Sequence, residues 1–343
     1  KNNSTEIIDC TGKYVIPGLF DMHMHLVENK NSIPKLKSLL MNGVTSLRDM
    51  GGIIDTIALA KKMIESGKMI GPNIYFSGYT LDGPQSNDQF HFKVHDTTNL
   101  KNLTSKLKNL GADFFKVHNY FPKDRLLELK KLGDELGMKI VGHIPVGVGP
   151  RDLDSLGIRS VEHMNSLLGS IVLTKANNVT SVNEAYEAVD STYILKLSKY
   201  YKKNNIAFTP TLLTLSGMYS SGEGEVLKAK GAVMMSFLSK ITRWMNQNDV
   251  LLLAGTDMGP IDDTTLDALH GELEMMVKLG FSPLEALKTA TINPSKFLKI
   301  EHLYGSIEAQ KKATFIVLNS NPLEKITNTK DINFVIKEGQ LIN

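Results

Sequence analysis

The sequence predicts an α/β protein: a (β/α)8 barrel beside a small β-domain built from the two termini. Eight β-rich runs alternate with helix-like segments, which implies βαβ units and a parallel sheet. A barrel's usual length of about 250 residues fits between Pro17 and Ile300 of the 343-residue chain. Residues 1–16 and 303–343 instead carry short alternating strands, such as those around Phe315 and Val335, broken by Gly and Asn. A doubly wound open sheet is the competing architecture, but no G-x-G-x-x-G follows the first run. The expected division is 17–302 for the barrel and 1–16 plus 303–343 for the β-domain.

In chain order, the predicted strands are residues 15–26, 44–50, 73–79, 113–118, 139–144, 160–164, 207–213 and 251–258. Between them lie amphipathic stretches over 100–110 and 123–136; Leu126, Leu129, Leu132 and Leu136 repeat at helical spacing. The long gaps 168–201 and 225–248 predict extra helices over the catalytic face, where loops of this fold vary. Ser220-Ser221-Gly222-Glu223-Gly224 reads as a lid or as a solvated connection. Ser282-Pro283-Leu284-Glu285 reads as a capping box with proline at the first helical position, and Asn293-Pro294 as the start of a further short helix.

Composition narrows the function classes. Lys+Arg 39 against Asp+Glu 36 gives +3, too near neutral to argue for a nucleic-acid or membrane-surface partner. No uninterrupted apolar stretch approaches the roughly 18 residues of a transmembrane helix. A single cysteine, Cys10, excludes an internal disulfide but fixes no compartment, so a soluble cytoplasmic or periplasmic chain is equally expected. A small-molecule substrate is the expected partner, and a homo-oligomer is allowed.

The chemistry gathers at predicted strand ends. In Asp21-Met22-His23-Met24-His25, strand alternation turns His23 and His25 to one face and Met22 and Met24 to the helices. Two imidazoles on one face form a metal clamp, although H-x-H also arises by chance. His143 and His163 each end a further run, and Asp257 ends the last; alone, Asp257 would read as a helix cap. Lys116 and His118 share a face of the fourth run, and a lysine facing a barrel interior is costly unless paired or modified. Four of the nine histidines thus converge with one aspartate and one lysine on the face where this fold keeps its catalytic groups.

The chain resembles the amidohydrolase superfamily, in particular its imidazolonepropionase/Xaa-Pro dipeptidase (prolidase)-like branch. The resemblance runs from about Ile8 to the C-terminus. It rests on Pro17-Gly18-Leu19-Phe20-Asp21-Met22-His23-Met24-His25, Gly43-Val44-Thr45-Ser46-Leu47-Arg48-Asp49 and Phe115-Lys116-Val117. Gly142-His143, Val161-Glu162-His163, Ala254-Gly255-Thr256-Asp257, His270-Gly271-Glu272-Leu273-Glu274 and Ser282-Pro283-Leu284-Glu285-Ala286-Leu287 continue it. The resemblance implies a β-sandwich-like terminal domain, whose first strands this chain lacks.

It also implies two divalent ions, zinc foremost. His23, His25 and Asp257 would hold one, His143 and His163 the second, with a CO₂-derived carbamate on Lys116 as the bridge. A salt-bridged Lys116, or a one-metal site of His23, His25, His143 and Asp257, are the alternatives. The implied reaction is hydrolysis of an amide-type C–N bond in a dipeptide or N-acyl amino acid by metal-activated hydroxide, with Asp257 as general base and then acid. The same centre would serve a lactonase, esterase or phosphotriesterase, and a single-metal form a cyclic amidine or imidazolone hydrolase. For substrate binding the expectations are Arg48 for a carboxylate, unless it pairs locally with Asp49, Tyr79 and Tyr120 as phenolic donors or walls, and His118, unless it is simply packed.

Overall fold

Apolar runs buried along their whole length build the parallel strands. The computed structural model describes residues 7–26, 32–175, 190–220, 225–260 and 262–342. Strands over the first part of the chain are β1 (Tyr14–Pro17), β2 (Leu19–Met24), β3 (Val44–Asp49), β4 (Asn73–Phe76), β5 (Thr80–Asp82) and β6 (His91–Lys93). They continue as β7 (Phe114–Val117), β8 (Lys139–Gly142), β9 (Ile158–Glu162), β10 (Ala207–Thr209), β11 (Phe315–Leu318), β12 (Ile332–Lys337) and β13 (Gln340–Ile342). β2, β3 and β7 have no exposed residue, the signature of parallel strands covered on both faces.

Two sheets are parallel, one in the order β2-β3-β4 and one in the order β10-β9-β8-β7-β5-β6. Backbone bonds extend both: Asp113 N–H, just before β7, donates to Phe76 O of β4 at 2.8 Å, and Met22 N–H of β2 donates to Ala254 O, in the stretch 251–258, at 2.9 Å. A third, antiparallel sheet has the order β1-β11-β12-β13 and joins both ends of the chain, with Val15 opposite Val317. Its Ile16, Ile316, Leu318 and Val335 share one apolar cluster with Leu40 and Val44.

The first predicted strand is in fact two. Residues 14–17 pair with β11, and after Gly18 the chain enters the parallel sheet, so the expected 15–26 run changes partners midway. A Cβ on Gly18 would sit 2.2 Å from Thr45 Oγ1, which is why the crossing needs glycine. The run 251–258 forms no ladder among the described residues. Isolated bridges from Leu252 to Phe208 and from Met258 to Met24 hold it in place. β5 and β6 were not expected, and Leu212 opens a helix, Leu212–Ser220, instead of ending a strand.

The expected helices appear as Leu100–Asn109 and Leu126–Leu136, the second entered through a 3-10 turn over Lys123–Arg125. Helices Met164–Lys175, Ser191–Lys203 and Glu225–Gln247 occupy the long gaps. Residues 221–224 of the lid expectation, and 176–189 of the first gap, lie outside the described residues. The Ser282 capping box is formed, Glu285 Oε2 accepting from Ser282 N–H at 2.8 Å. Helix Ile292–Leu298 starts two residues earlier than a cap at Asn293 with proline first would place it, so Asn293 falls within its first turn, where its amide donates to Leu252 O at 3.0 Å. No helix among the described residues is long and apolar enough to cross a membrane.

Candidate metal centre

Three imidazoles meet one carboxylate where the parallel strands end. His23 Nε2 and His25 Nε2 each lie 3.3 Å from Asp257 Oδ1, and His163 Nδ1 lies 3.7 Å from Asp257 Oδ2. The rings of His143 and His163 are 4.8 Å apart, and His118 stacks on His143 at 3.9 Å. Lys116 is buried beside them, paired in register with Thr80 and Val141. The fold therefore gathers His23, His25, Lys116, His143, His163 and Asp257 at one place, with His118 at its edge.

Backbone geometry helps to aim these groups. The β2–β3 ladder shifts register between Asp21 and Met24. That shift breaks strict alternation, so Met22 packs with Phe20, Phe114 and Val141 while Met24 joins Leu19 and Leu26 in the larger cluster. The two methionines, expected on one side, thus fall into different apolar clusters. His163 (φ 65°) and Asp257 (φ 60°) adopt left-handed backbone conformations that non-glycine residues rarely take, a strain of the kind that collects at functional sites.

Each histidine has its Nδ1 engaged by the protein. His23 Nδ1 donates to Glu162 Oε2 at 3.0 Å, and His25 Nδ1 to Gly51 O at 3.1 Å. His143 Nδ1 donates to Asn119 Oδ1 at 2.8 Å, and His163 Nδ1 pairs with Thr211 Oγ1 at 2.9 Å. Such outer partners fix the ring and leave Nε2 as the ligand atom. His23 Nε2 is buried without a hydrogen-bond partner, since its approach to Asp257 lacks the alignment of one. A buried polar atom left so is costly unless something binds it, and a cation fits this donor set of imidazole and carboxylate.

The electrostatics keep His23, His143 and His163 neutral, the form that ligates metals. Burial, with repulsion from His163 and Lys116, holds His23 well below the usual histidine range; burial and His118 do the same to His143. Burial takes His163 down to about 4. Burial would raise the Asp257 carboxyl, but His163, His25 and Lys116 outweigh it and bring it to about 2.

Arg48 has other partners than those expected. It is fully buried; its guanidinium donates to both oxygens of Glu162 at 2.8 Å, to Ser160 Oγ at 3.2 Å and to Met22 O at 2.6 Å. Neither a substrate carboxylate nor Asp49 is its counterion. Asp49 instead accepts from Leu26 N–H and Gly51 N–H. Tyr79 packs against Phe92, ring centroids 5.7 Å apart, with Lys106 Nζ 5.8 Å from its ring, so it turns towards the helix Leu100–Asn109. Tyr120 is half exposed and lines a 240 Å³ cavity with Asn119, His143 and Ser166. His118 donates Nδ1–H to Asp82 Oδ2 at 3.0 Å, the same oxygen that takes His91 Nδ1 at 3.0 Å.

Sequence reasoning passed over Glu162, Asp82, His91 and Asn119. Glu162 stands inside the quoted Val161-Glu162-His163 block, where a glutamate on a buried strand was already a signal. Asp82 and His91 lie on the short polar strands β5 and β6, and Asn119 lies in the turn after β7, segments whose composition reads as loop.

Residues 14–342 match the model of the amidohydrolase family. The chain is 23% identical to an adenine deaminase of Kosmotoga olearia, over 98% of this chain and 52% of that protein, so it spans about half the length of that relative. It is 24% identical to the ochratoxinase of Aspergillus niger (95% and 75% covered) and 23% identical to the imidazolonepropionase of Brevibacillus brevis (100% and 84%). Among solved structures, a prolidase from Bifidobacterium longum superposes with TM-score 0.77 at 22% identity, covering 98% and 82%. A Xaa-Pro dipeptidase with bound methionine gives 0.76 at 20%, covering 99% and 89%. At such identities the structural likeness concerns the fold.

Proposed function

The chain belongs to the amidohydrolase family of hydrolases acting on C–N bonds, and from that premise we propose that it cleaves the amide-type bond of a dipeptide or N-acyl amino acid at a centre of two divalent ions. The observation that carries this reading is the convergence of His23, His25 and His163 on Asp257, with His23 Nε2 buried and unmatched. His23, His25 and Asp257 would hold one ion, His143 and His163 the other, and zinc suits this set of imidazole and carboxylate donors. When bound, such ions acidify water to a pKa of about 7 and polarise a carbonyl.

The chain's own groups do the rest. Asp257 takes the proton of the attacking water and returns it to the leaving nitrogen. The Lys116 ammonium would lose one proton, add CO₂ through Nζ and release a second proton, so that a carbamate able to hold metal would replace a buried cation. Glu162 and Gly51 hold the rings of His23 and His25 in place through Nδ1. Tyr120 and His118 border the substrate. The two parallel sheets, with 251–258 between β10 and β2, are read as one closed (β/α)8 barrel spanning 17–302. The antiparallel sheet is read as a sandwich-like partner formed by 1–16 and 303–343.

A one-ion reading draws on one further observation: among the described residues, His23, His163 and Asp257 offer ligand atoms all within 4.8 Å of one another. Both readings meet the same experiment. Metal-loaded protein is assayed against dipeptides, N-acyl amino acids, lactones and phosphotriesters, and bound metal is counted after dialysis. Amide turnover with two ions per chain is expected. Turnover confined to lactones or phosphotriesters would overturn the substrate class, and one ion per chain would replace the binuclear centre.

A further inference from the structure

A second cavity, of 710 Å³, opens at the opposite end of the parallel strands. Lys139 begins β8 and lines this cavity, whereas His143 lies four residues further along, about 13 Å away at roughly 3.3 Å per residue. The cavity's volume falls in the small-molecule range of about 300–1,000 Å³. Its walls carry six cationic side chains, Lys139, Arg159, Lys202, Lys203, Lys296 and Lys299, against two carboxylates, Asp154 and Asp249.

Both carboxylates are already committed. Asp154 pairs with Arg159, and Asp249 pairs with Lys202 at 2.8 Å. Lys139 donates to Phe297 O at 2.5 Å with its ammonium 4.4 Å from the Phe297 ring, contacts that give it no countercharge. For Lys203, Lys296 and Lys299 no carboxylate lies within ion-pair distance among the described residues.

Lysines near helix C-termini often only complement the helix dipole, and helices Ser191–Lys203 and Ile292–Leu298 both end here. Two helix ends supply about one negative charge between them, at roughly half a charge each. The walls carry a surplus of four positive charges, so most of it stays unmatched. Burial, reinforced by repulsion from Lys299, Arg48 and Arg159, pulls the Lys139 ammonium down to about 8. Tyr201 lines the same cavity and has a buried hydroxyl without a hydrogen-bond partner.

We propose that this cavity binds a small polyanion, a molecule bearing two or more phosphate or carboxylate groups, held by Lys139, Lys203, Lys296 and Lys299. The site is separate from the metal centre and does not rest on the proposed reaction.

The test is calorimetric titration of the metal-loaded protein with pyrophosphate and with citrate at about 0.15 M salt, where charges beyond about 8 Å are screened. Acetate serves as the singly charged control. One polyanion per chain is expected to bind, at least tenfold more tightly than acetate. Lys139→Gln and, on the exposed rim, Lys299→Glu are each expected to weaken binding tenfold or more. His23→Ala, which alters the metal centre, is expected to leave it intact. Preference for pyrophosphate or for citrate identifies the anionic group. Equal affinity in wild type and Lys299→Glu, loss of binding in His23→Ala, or no preference over acetate would each overturn the proposal.

Discussion

Asp257 and Glu162 show how differently two carboxylates act within one cluster. Asp257 faces three imidazoles and keeps some solvent contact, whereas Glu162 is fully enclosed and neutralises Arg48. Asp257→Asn removes a proton acceptor, so turnover is expected to fall by about 10²–10⁴, the span of a general acid–base group. Metal is measured on the same sample; loss of rate with both ions retained supports the proton role, and an unchanged rate rejects it. Glu162→Gln leaves the buried Arg48 guanidinium without its countercharge. Breaking a buried pair from one side costs about 3–5 kcal/mol. Urea unfolding should record that loss together with a disturbed His23 ring, since Glu162 also holds its Nδ1. A variant as stable as the parent would show that Ser160, Thr209 and Met22 O suffice for Arg48.

At the scale of elements, β8 presses against β7 through Gly142. Its φ is 125°, and a Cβ there would sit 2.2 Å from Val117 O. Gly142→Ala therefore has to part the two strands beside Lys116 and His143, and lowered metal content with lowered activity is expected; a fully loaded, active variant would show that the ladder yields without cost. Glu272, on helix Ala268–Lys278, accepts from Leu212 N–H at 3.0 Å and Leu213 N–H at 2.7 Å, tying down the start of helix Leu212–Ser220. Burial raises its carboxyl to about 8 from an ordinary 4.5, despite those bonds. The folded state then keeps a proton that the unfolded chain releases, so this contribution to stability is complete below pH 4.5 and is lost as pH rises through about 8. Glu272→Gln cannot titrate. Its deficit against wild type in urea unfolding should be larger near pH 5 than above pH 8; a constant gap would place the Glu272 titration at its ordinary value.

Most strands were legible because buried parallel strands read as short apolar runs bounded by polar turns. The run 251–258 has that composition too, yet it is held by isolated bridges and single backbone bonds, and no local pattern distinguishes a ladder from a bridge. β5 and β6 escaped notice because Thr80, Asp82 and His91 contribute hydrogen bonds instead of apolar surface. The candidate cluster of His23, His25, His163 and Asp257 was legible as residue types at strand ends. Arg48 and Tyr79 were misplaced because side-chain direction depends on neighbours far off in sequence, Glu162 for one and Phe92 for the other.

Across the whole molecule, the antiparallel sheet and the parallel layer share apolar packing. Ile316 lies beside Gly43, where an added Cβ would be 2.7 Å from Ile316 Cδ1. His270 reaches across as well, its ring nitrogens pairing with Thr329 Oγ1 at 2.9 Å and Asn42 O at 3.0 Å. Ile316→Ala is expected to cost about 2–5 kcal/mol and to lower a single, undivided unfolding transition. Two separated transitions would mean that the terminal sheet melts as a unit of its own.

The pairing of β1 with β11 also imposes a timetable. During synthesis β1 is made early and β11 late, with most of the chain between them, so β1 stays an unpaired edge until its partner arrives. Loop closure over so long a span is slow, which puts this sheet among the last parts to form. A chain interrupted before Thr314 would carry every side chain of the proposed metal centre and still leave Ile16 without its β11 partner. The clasp works as a completion seal, because a truncated copy displays a strand with both edges unpaired, whereas in a finished one β11 occupies one of them.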